Sequence, residues 1–160
     1  MSKLKRTHTC GQLRLKDLKS TVALFGWVSS VRDHGGLIFI DLRDRYGITQ
    51  VVFNPDKGED FFKIAGQLRP EYVVAVRGIV SARPPGTVNS ALDTGEIEVY
   101  SDTVEILNKS ETPPFEVMDD SNVSLELRLK HRYLDLRRPI VQKRLIFRHK
   151  ICQTIREYLD

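Results

Sequence analysis

The chain has 160 residues, 41% of them apolar, which is enough for one ordinary domain or one small domain and part of another. Its 25 Lys and Arg against 21 Asp and Glu leave a formal charge of +4. That charge is unevenly spread. Residues 1–20 carry six basic groups and one acidic, residues 21–127 nine and seventeen, and residues 128–160 ten and three, so the body of the chain is not built to hold nucleic acid by bulk charge.

In chain order, a short lead-in with one or two helical turns is expected through Cys10–Leu18. Val22–Arg32 opens with an apolar, β-rich run that reads as a strand covered on both faces. Asp33-His34-Gly35-Gly36 reads as a tight turn. Leu37–Arg43 is a second strand, Asp44–Gly47 another turn, and Thr49–Phe53 a third strand. Asp56–Arg69 has helical spacing, with Phe61, Phe62, Ile64, Ala65 and Leu68 on one broad face and Pro70 as its stop. Tyr72–Arg83 is a fourth strand with a bend or bulge at Gly78. A polar loop from Pro84 to Gly95 leads to a fifth strand at Glu96–Leu107. Five strands with one helix between the third and fourth is the order of an OB-fold, a small Greek-key barrel that binds oligonucleotides. The fold class expected is therefore all-β with one helix, followed by a linker and a C-terminal helix.

Residues 109–124 read as a linker. Leu125–Leu136 suggests one short helix. Pro139 opens another, whose stripe of Val141, Leu145, Cys152, Ile155 and Leu159 still runs where the chain ends, as in a truncated piece. The domain boundaries expected are 1–108 for the barrel, 109–138 for the linker and hinge, and 139–160 for the first helix of a second domain.

The second strand carries the most informative residue. Its side chains alternate, so Ile38, Ile40 and Leu42 make one apolar face while Phe39 shares the other with Asp41 and Arg43. An aromatic ring among charges on an open strand face can stack a single-stranded base. In the third strand Gln50 faces out if Val51 and Phe53 face in, and its amide can pair with a base edge. By the same alternation Glu96, Glu98 and Tyr100 face out of the fifth strand. Arg32 and Arg83 end the first and fourth strands, where a guanidinium can meet phosphate or guanine. The acids Asp33, Asp41 and Asp44 read as turn chemistry.

The chain shows no P-loop, GxGxxG, HExxH or GxSxG, so no catalytic residue is expected in it. Two distant cysteines make no disulfide framework, and the four histidines lack zinc-ligand spacing, so no metal site is expected. No run has the length of a signal peptide or a membrane span, so no membrane partner and a cytoplasmic setting are expected.

The motifs "CGQLR", "LFGWVSSVRDHGGLIFIDLRDRYGITQVVF", "TGEIEV", "TPPF" and "LRLKHRYLDLRRP" closely resemble the N-terminal region of the bacterial-type aspartyl-tRNA synthetases, from Thr7 to Asp160. The resemblance implies a domain that reads the tRNA anticodon, G, U and C for aspartate. It implies that Phe39 stacks the middle base and that Gln50 lies beside it. Arg32, Arg83 and Glu98 would surround the first and last bases, with Asn89 on the rim. His34 and Gly86 resemble residues of the relaxed kind of enzyme, which also charges asparagine tRNA. Val52 stands where some members carry an aromatic, so no stack is expected from that position. The resemblance further implies that the full-length enzyme is a homodimeric ligase using ATP and magnesium. The motifs that hold ATP would lie beyond Asp160, so this piece alone needs no cofactor. Two rivals are a free-standing single-strand-binding protein and a peptide-binding module.

Overall fold

The computed structural model describes residues 4–120 and 122–160. They form two units, one running to Thr112 and one beginning at Pro113. The first is a closed barrel of five strands: β1 Thr21–His34, β2 Leu37–Arg43, β3 Ile48–Phe53, β4 Val73–Ala82 and β5 Ile97–Asn108. They neighbour one another in the order β1-β2-β3-β5-β4, and β4 closes back onto β1. Every pairing is antiparallel except β3 with β5, where Val51 and Val52 lie opposite Val99 and Tyr100. This is the OB-fold order the sequence predicts.

Alternation dictates which residues fill the barrel. Ile38, Ile40 and Leu42 of β2, Val51 and Phe53 of β3, and Ile97 and Val99 of β5 all belong to one buried core. The β1–β2 hairpin turns on Gly35 and Gly36, whose φ of 62° and 79° suit a turn with two left-handed residues. His34 is the last residue of β1, where a turn residue was expected, because its backbone still pairs with Leu37. β4 does shift register between Arg77 and Gly78, the position expected to bulge.

The helix between β3 and β4 is shorter than its apolar spacing suggests. Pro55–Lys57 forms a single 3-10 turn, Gly58 breaks it at φ 126°, and α1 runs only over Glu59–Gly66. α1 stands against the barrel through Phe61, whose ring lies 5.6 Å from that of Phe53. The lead-in segment is held by backbone pairing more than by helix; its helical part is a single 3-10 turn at Leu15–Asp17. Asp44 accepts hydrogen bonds from the amides of Tyr46, Gly47 and Cys10, so it closes its own turn and staples the lead-in to the barrel.

In the second unit, Leu125–Leu136 is two helices where one was expected. α2 spans Leu125–Lys130 and α3 spans Arg132–Asp135. His131 divides them because its φ of −110° and ψ of 49° leave the helical region. Asp135 is fully buried and accepts from Arg128 Nε at 3.0 Å, Arg132 Nη1 at 2.9 Å and Arg138 Nη1 at 3.0 Å. Asp119 accepts from the Ile140 amide at 3.2 Å, supplying from a distant part of the chain the cap that Arg138 does not give α4, Pro139–Leu159. The stripe on α4 is open to solvent, with Leu145, Cys152, Ile155 and Leu159 all exposed.

Candidate functional site

An open cleft of about 480 Å³ lies on the outer face of β1, β2 and β3, lined by Arg32, Asp33, His34, Phe39, Gln50, Arg83 and Thr87. The hairpin places Arg32 directly opposite Phe39 in register. Phe39 is half-buried and lines the cleft. Asp41, two residues on, is not turn chemistry. It accepts from Ser30 Oγ at 2.6 Å and from Arg32 Nη2 at 3.1 Å, so it anchors the guanidinium beside the ring.

Gln50 does lie on the outer face, yet it is only 8% exposed. The parallel pairing of β3 with β5 sets it beside Glu98, which is 3% exposed. Gln50 Nε2 donates to Glu98 Oε2 at 2.8 Å, and Gln50 Oε1 accepts from Arg32 Nη2 at 3.2 Å. These two side chains face outward as alternation predicts, yet both are buried on that face. They shield one another, because a buried polar group needs a partner. A carboxylate accepts and a guanidinium only donates, so the two partners fix which way the amide points. One N–H and one lone pair of Gln50 are left, the complement of a base edge that also offers one of each.

Arg83 follows directly after β4. Its Nε donates to the Ile97 carbonyl at 3.1 Å and its Nη1 to the Thr87 carbonyl at 3.4 Å. Its Nη2 is buried and has no hydrogen-bond partner among the described residues. A donor left so is costly, and an acceptor entering the cleft would relieve it. Burial presses the Arg83 guanidinium below its ordinary value, while Glu98 and Asp41 pull it back up. An arginine nevertheless stays protonated at neutral pH. The Tyr100 phenol is held above its ordinary value, first by burial and then by the charge of the Glu98 carboxylate.

Of the eight residues singled out in the sequence, Arg32, His34, Phe39, Gln50 and Arg83 line the cleft, and Glu98 joins it through Gln50. Gly86 and Asn89 lie in the adjoining loop and do not line it. Gly86 has a φ of 83°, with open space where a side chain would stand, so the backbone alone favours glycine there. Asn89 organises its own turn by accepting from the Ala91 amide at 3.0 Å. Sequence reasoning missed Thr87, Asp33 and the anchoring role of Asp41. Asp41 was within reach, since it shares the outer face of β2 with Phe39. Among the described residues no group of three or more His, Cys, Asp or Glu is placed to hold a metal ion, and no helix is long and apolar enough to cross a membrane.

Residues 22–107 match the family described as OB-fold nucleic acid binding domain, and residues 124–160 match the tRNA synthetases class II (D, K and N). Among curated relatives, the chain is 56% identical over 157 residues to an aspartate–tRNA(Asp/Asn) ligase of Halothermothrix orenii, covering 98% of this chain and 27% of that protein. It is 52% identical over its full length to the protein of that name from Desulfatibacillum aliphaticivorans. The chain thus spans about a quarter of the length of these relatives. Among solved structures, asparaginyl-tRNA synthetase from Pyrococcus horikoshii complexed with asparaginyl-adenylate superposes with a TM-score of 0.82 at 28% identity, over 98% of this chain and 34% of that one. Aspartyl tRNA synthetase from Entamoeba histolytica shares the fold, with a TM-score of 0.86 at 20% identity over 98% of this chain and 37% of its own.

The coupling of Glu98 to Tyr100 gives a pH test. Because folding favours the neutral phenol, Tyr100 contributes stability that is whole below the ordinary value of 10.0 and is lost as pH rises through its own higher value. In Glu98→Gln the Tyr100 ring should titrate lower than in the parent protein, yet still above a free tyrosine because burial remains. Ring-carbon NMR reads this directly, and an unchanged titration would contradict the coupling.

Proposed function

Because the chain belongs to the OB-fold nucleic acid binding domain family, we propose that its β2–β3–β5 face reads the anticodon loop of a tRNA. The observation that carries this reading is the cleft itself. It combines an accessible ring, an amide held with one donor and one acceptor to spare, and a buried Arg83 donor without a partner. Single-stranded RNA is recognised by stacking its splayed bases and hydrogen-bonding their edges, and these groups supply both.

In this reading Phe39 stacks the middle base and Gln50 pairs with its edge. Arg32 and Arg83 meet the neighbouring bases or their phosphates. Glu98 orients Gln50, and Asn89 shapes the rim. The names of the relatives support an aspartate–tRNA ligase as the whole protein. In this reading that enzyme would use ATP and magnesium and act as a cytoplasmic homodimer. The chain would be its anticodon-reading part joined through a hinge at 109–138 to the start of the catalytic domain. The synthetase match over 124–160 speaks against a free-standing single-strand-binding protein.

The relatives are named for both aspartate and asparagine tRNA, which supports the relaxed reading of His34 and Gly86. The two anticodons differ only in the third base, C against U. With glycine at 86 no side chain is present there to crowd that base, so little energy separates the two.

Two outcomes follow for an anticodon stem-loop. Phe39→Ala should weaken its binding by about 1–3 kcal/mol, the worth of one base–aromatic stack, with far-UV dichroism unchanged. Unaltered affinity in a folded variant would remove the platform. Stem-loops that differ only in C or U at the third base should bind within about tenfold of each other, roughly 1.4 kcal/mol. A preference for C of about a hundredfold or more would make His34 and Gly86 turn residues only.

A further inference from the structure

The cleft does not end the outer face. In register, Phe39 of β2 lies opposite Val52 of β3, Val52 opposite Tyr100 of β5, and Tyr100 opposite Ile79 of β4. These four residues make one continuous row across the sheet. Alternation confirms that the row faces outward, since Ile97 and Val99 on either side of Glu98, and Val76 and Val80 around Ile79, lie in the core. Val52 is fully buried between its two aromatic partners, whereas Ile79 is 45% exposed and Tyr100 partly exposed. The far end of the row is thus an apolar surface with an accessible ring, on a face otherwise given to polar groups.

Tyr100 and Glu98 lie two residues apart on β5 and so share its outer face, and Glu98 is itself held by Gln50. The Tyr100 end of the row therefore adjoins the clamp that holds the amide in the cleft. Adjacent strands lie about 4.8 Å apart, so the backbones that carry the Phe39 and Tyr100 rings are roughly 10 Å apart across two strand steps. Stacked rings have centroids within about 4.5–7 Å, so no single base can rest on both. Each ring would therefore take a base of its own, with Val52 buried between them.

The geometry points to a second nucleobase subsite on Tyr100, walled by Ile79, which stacks a loop nucleotide other than the one on Phe39. This rests on the reading of the face as an RNA-loop binder and adds a binding residue to it. The base is held by its flat face, and the stack itself needs no edge contact from the phenol. The subsite therefore supplies affinity and fixes the path of the strand across β5 and β4, while the base on Phe39 and Gln50 supplies specificity.

The test compares Tyr100→Phe, which keeps the ring, with Tyr100→Leu, which keeps apolar cover over Val52 and removes the ring. Each is titrated with an anticodon stem-loop and with a set of stem-loops in which one loop base at a time is removed. Tyr100→Leu should weaken binding of the intact loop by about fivefold or more, and Tyr100→Phe should stay within about twofold. Removing one base, different from the one whose removal cancels the Phe39→Ala effect, should erase the loss in Tyr100→Leu. The inference is overturned if Tyr100→Leu binds like the parent, if Tyr100→Phe loses as much, or if both rings couple to the same base. A parent protein that binds no stem-loop would overturn the RNA-loop reading itself, whereas a parent that binds through Phe39 with Tyr100 silent would leave that reading standing.

Discussion

The Gln50 amide is held at both ends, by Glu98 at 2.8 Å and by Arg32 at 3.2 Å, and the recognition face is organised around that clamp. It exists only because the barrel closes. β3 and β5 are joined in parallel at Val51 and Val99, which sets Gln50 beside a glutamate 48 residues away in sequence. Arg32 reaches the amide because Asp41 holds its guanidinium, and Asp41 is held in turn by Ser30. A side chain already fixed in its bound rotamer loses little freedom when a ligand arrives. The interior of the barrel and the chemistry of its surface are therefore one problem. Any change that loosens the β3–β5 contact releases the amide as well.

The charge on this face is nearly balanced. Arg32 is paired with Asp41 at 3.1 Å, and Arg83 feels both Glu98 and Asp41. The body of the chain is acidic, with seventeen acids against nine basic residues over 21–127. A loop bound here is held by stacking and by directed hydrogen bonds more than by attraction of its phosphates. Such a division suits discrimination, because phosphate contacts are the same for every sequence. A buried guanidinium nitrogen without a partner serves the same end, since only an acceptor at the right place relieves it.

Much of the fold was legible because alternation and turn chemistry are local. Ile38, Ile40 and Leu42 announced the inner face of β2, and by parity Phe39 announced the outer one. The departures have physical reasons. Gly58 interrupts what spacing alone reads as one helix, and His131 interrupts another, because hydrophobic period carries no information about a single left-handed or bridging residue. Burial of Gln50 and Glu98 was not legible, since it depends on a contact between strands far apart in sequence. Asp41 was misread from its neighbourhood in the chain, where Asp44 does close a turn. The partnerless nitrogen of Arg83 could be seen only with the loop at Pro84–Thr87 in place around it. Several roles for the site came from the resemblance to a family; the residues' own spacing supports Phe39 and Gln50 most directly.

The central claim is that the outer face of β2, β3 and β5 is built in advance for a single-stranded RNA loop. NMR of the Gln50 side-chain amide during titration with an anticodon stem-loop tests it most directly. The account predicts an amide in the free protein nearly as ordered as rigid backbone, S² about 0.85. On binding it should shift in frequency with its order unchanged, together with the signals of Arg32, Phe39 and Arg83. An amide that tumbles freely until RNA is added, or a footprint on another face of the barrel, would contradict it.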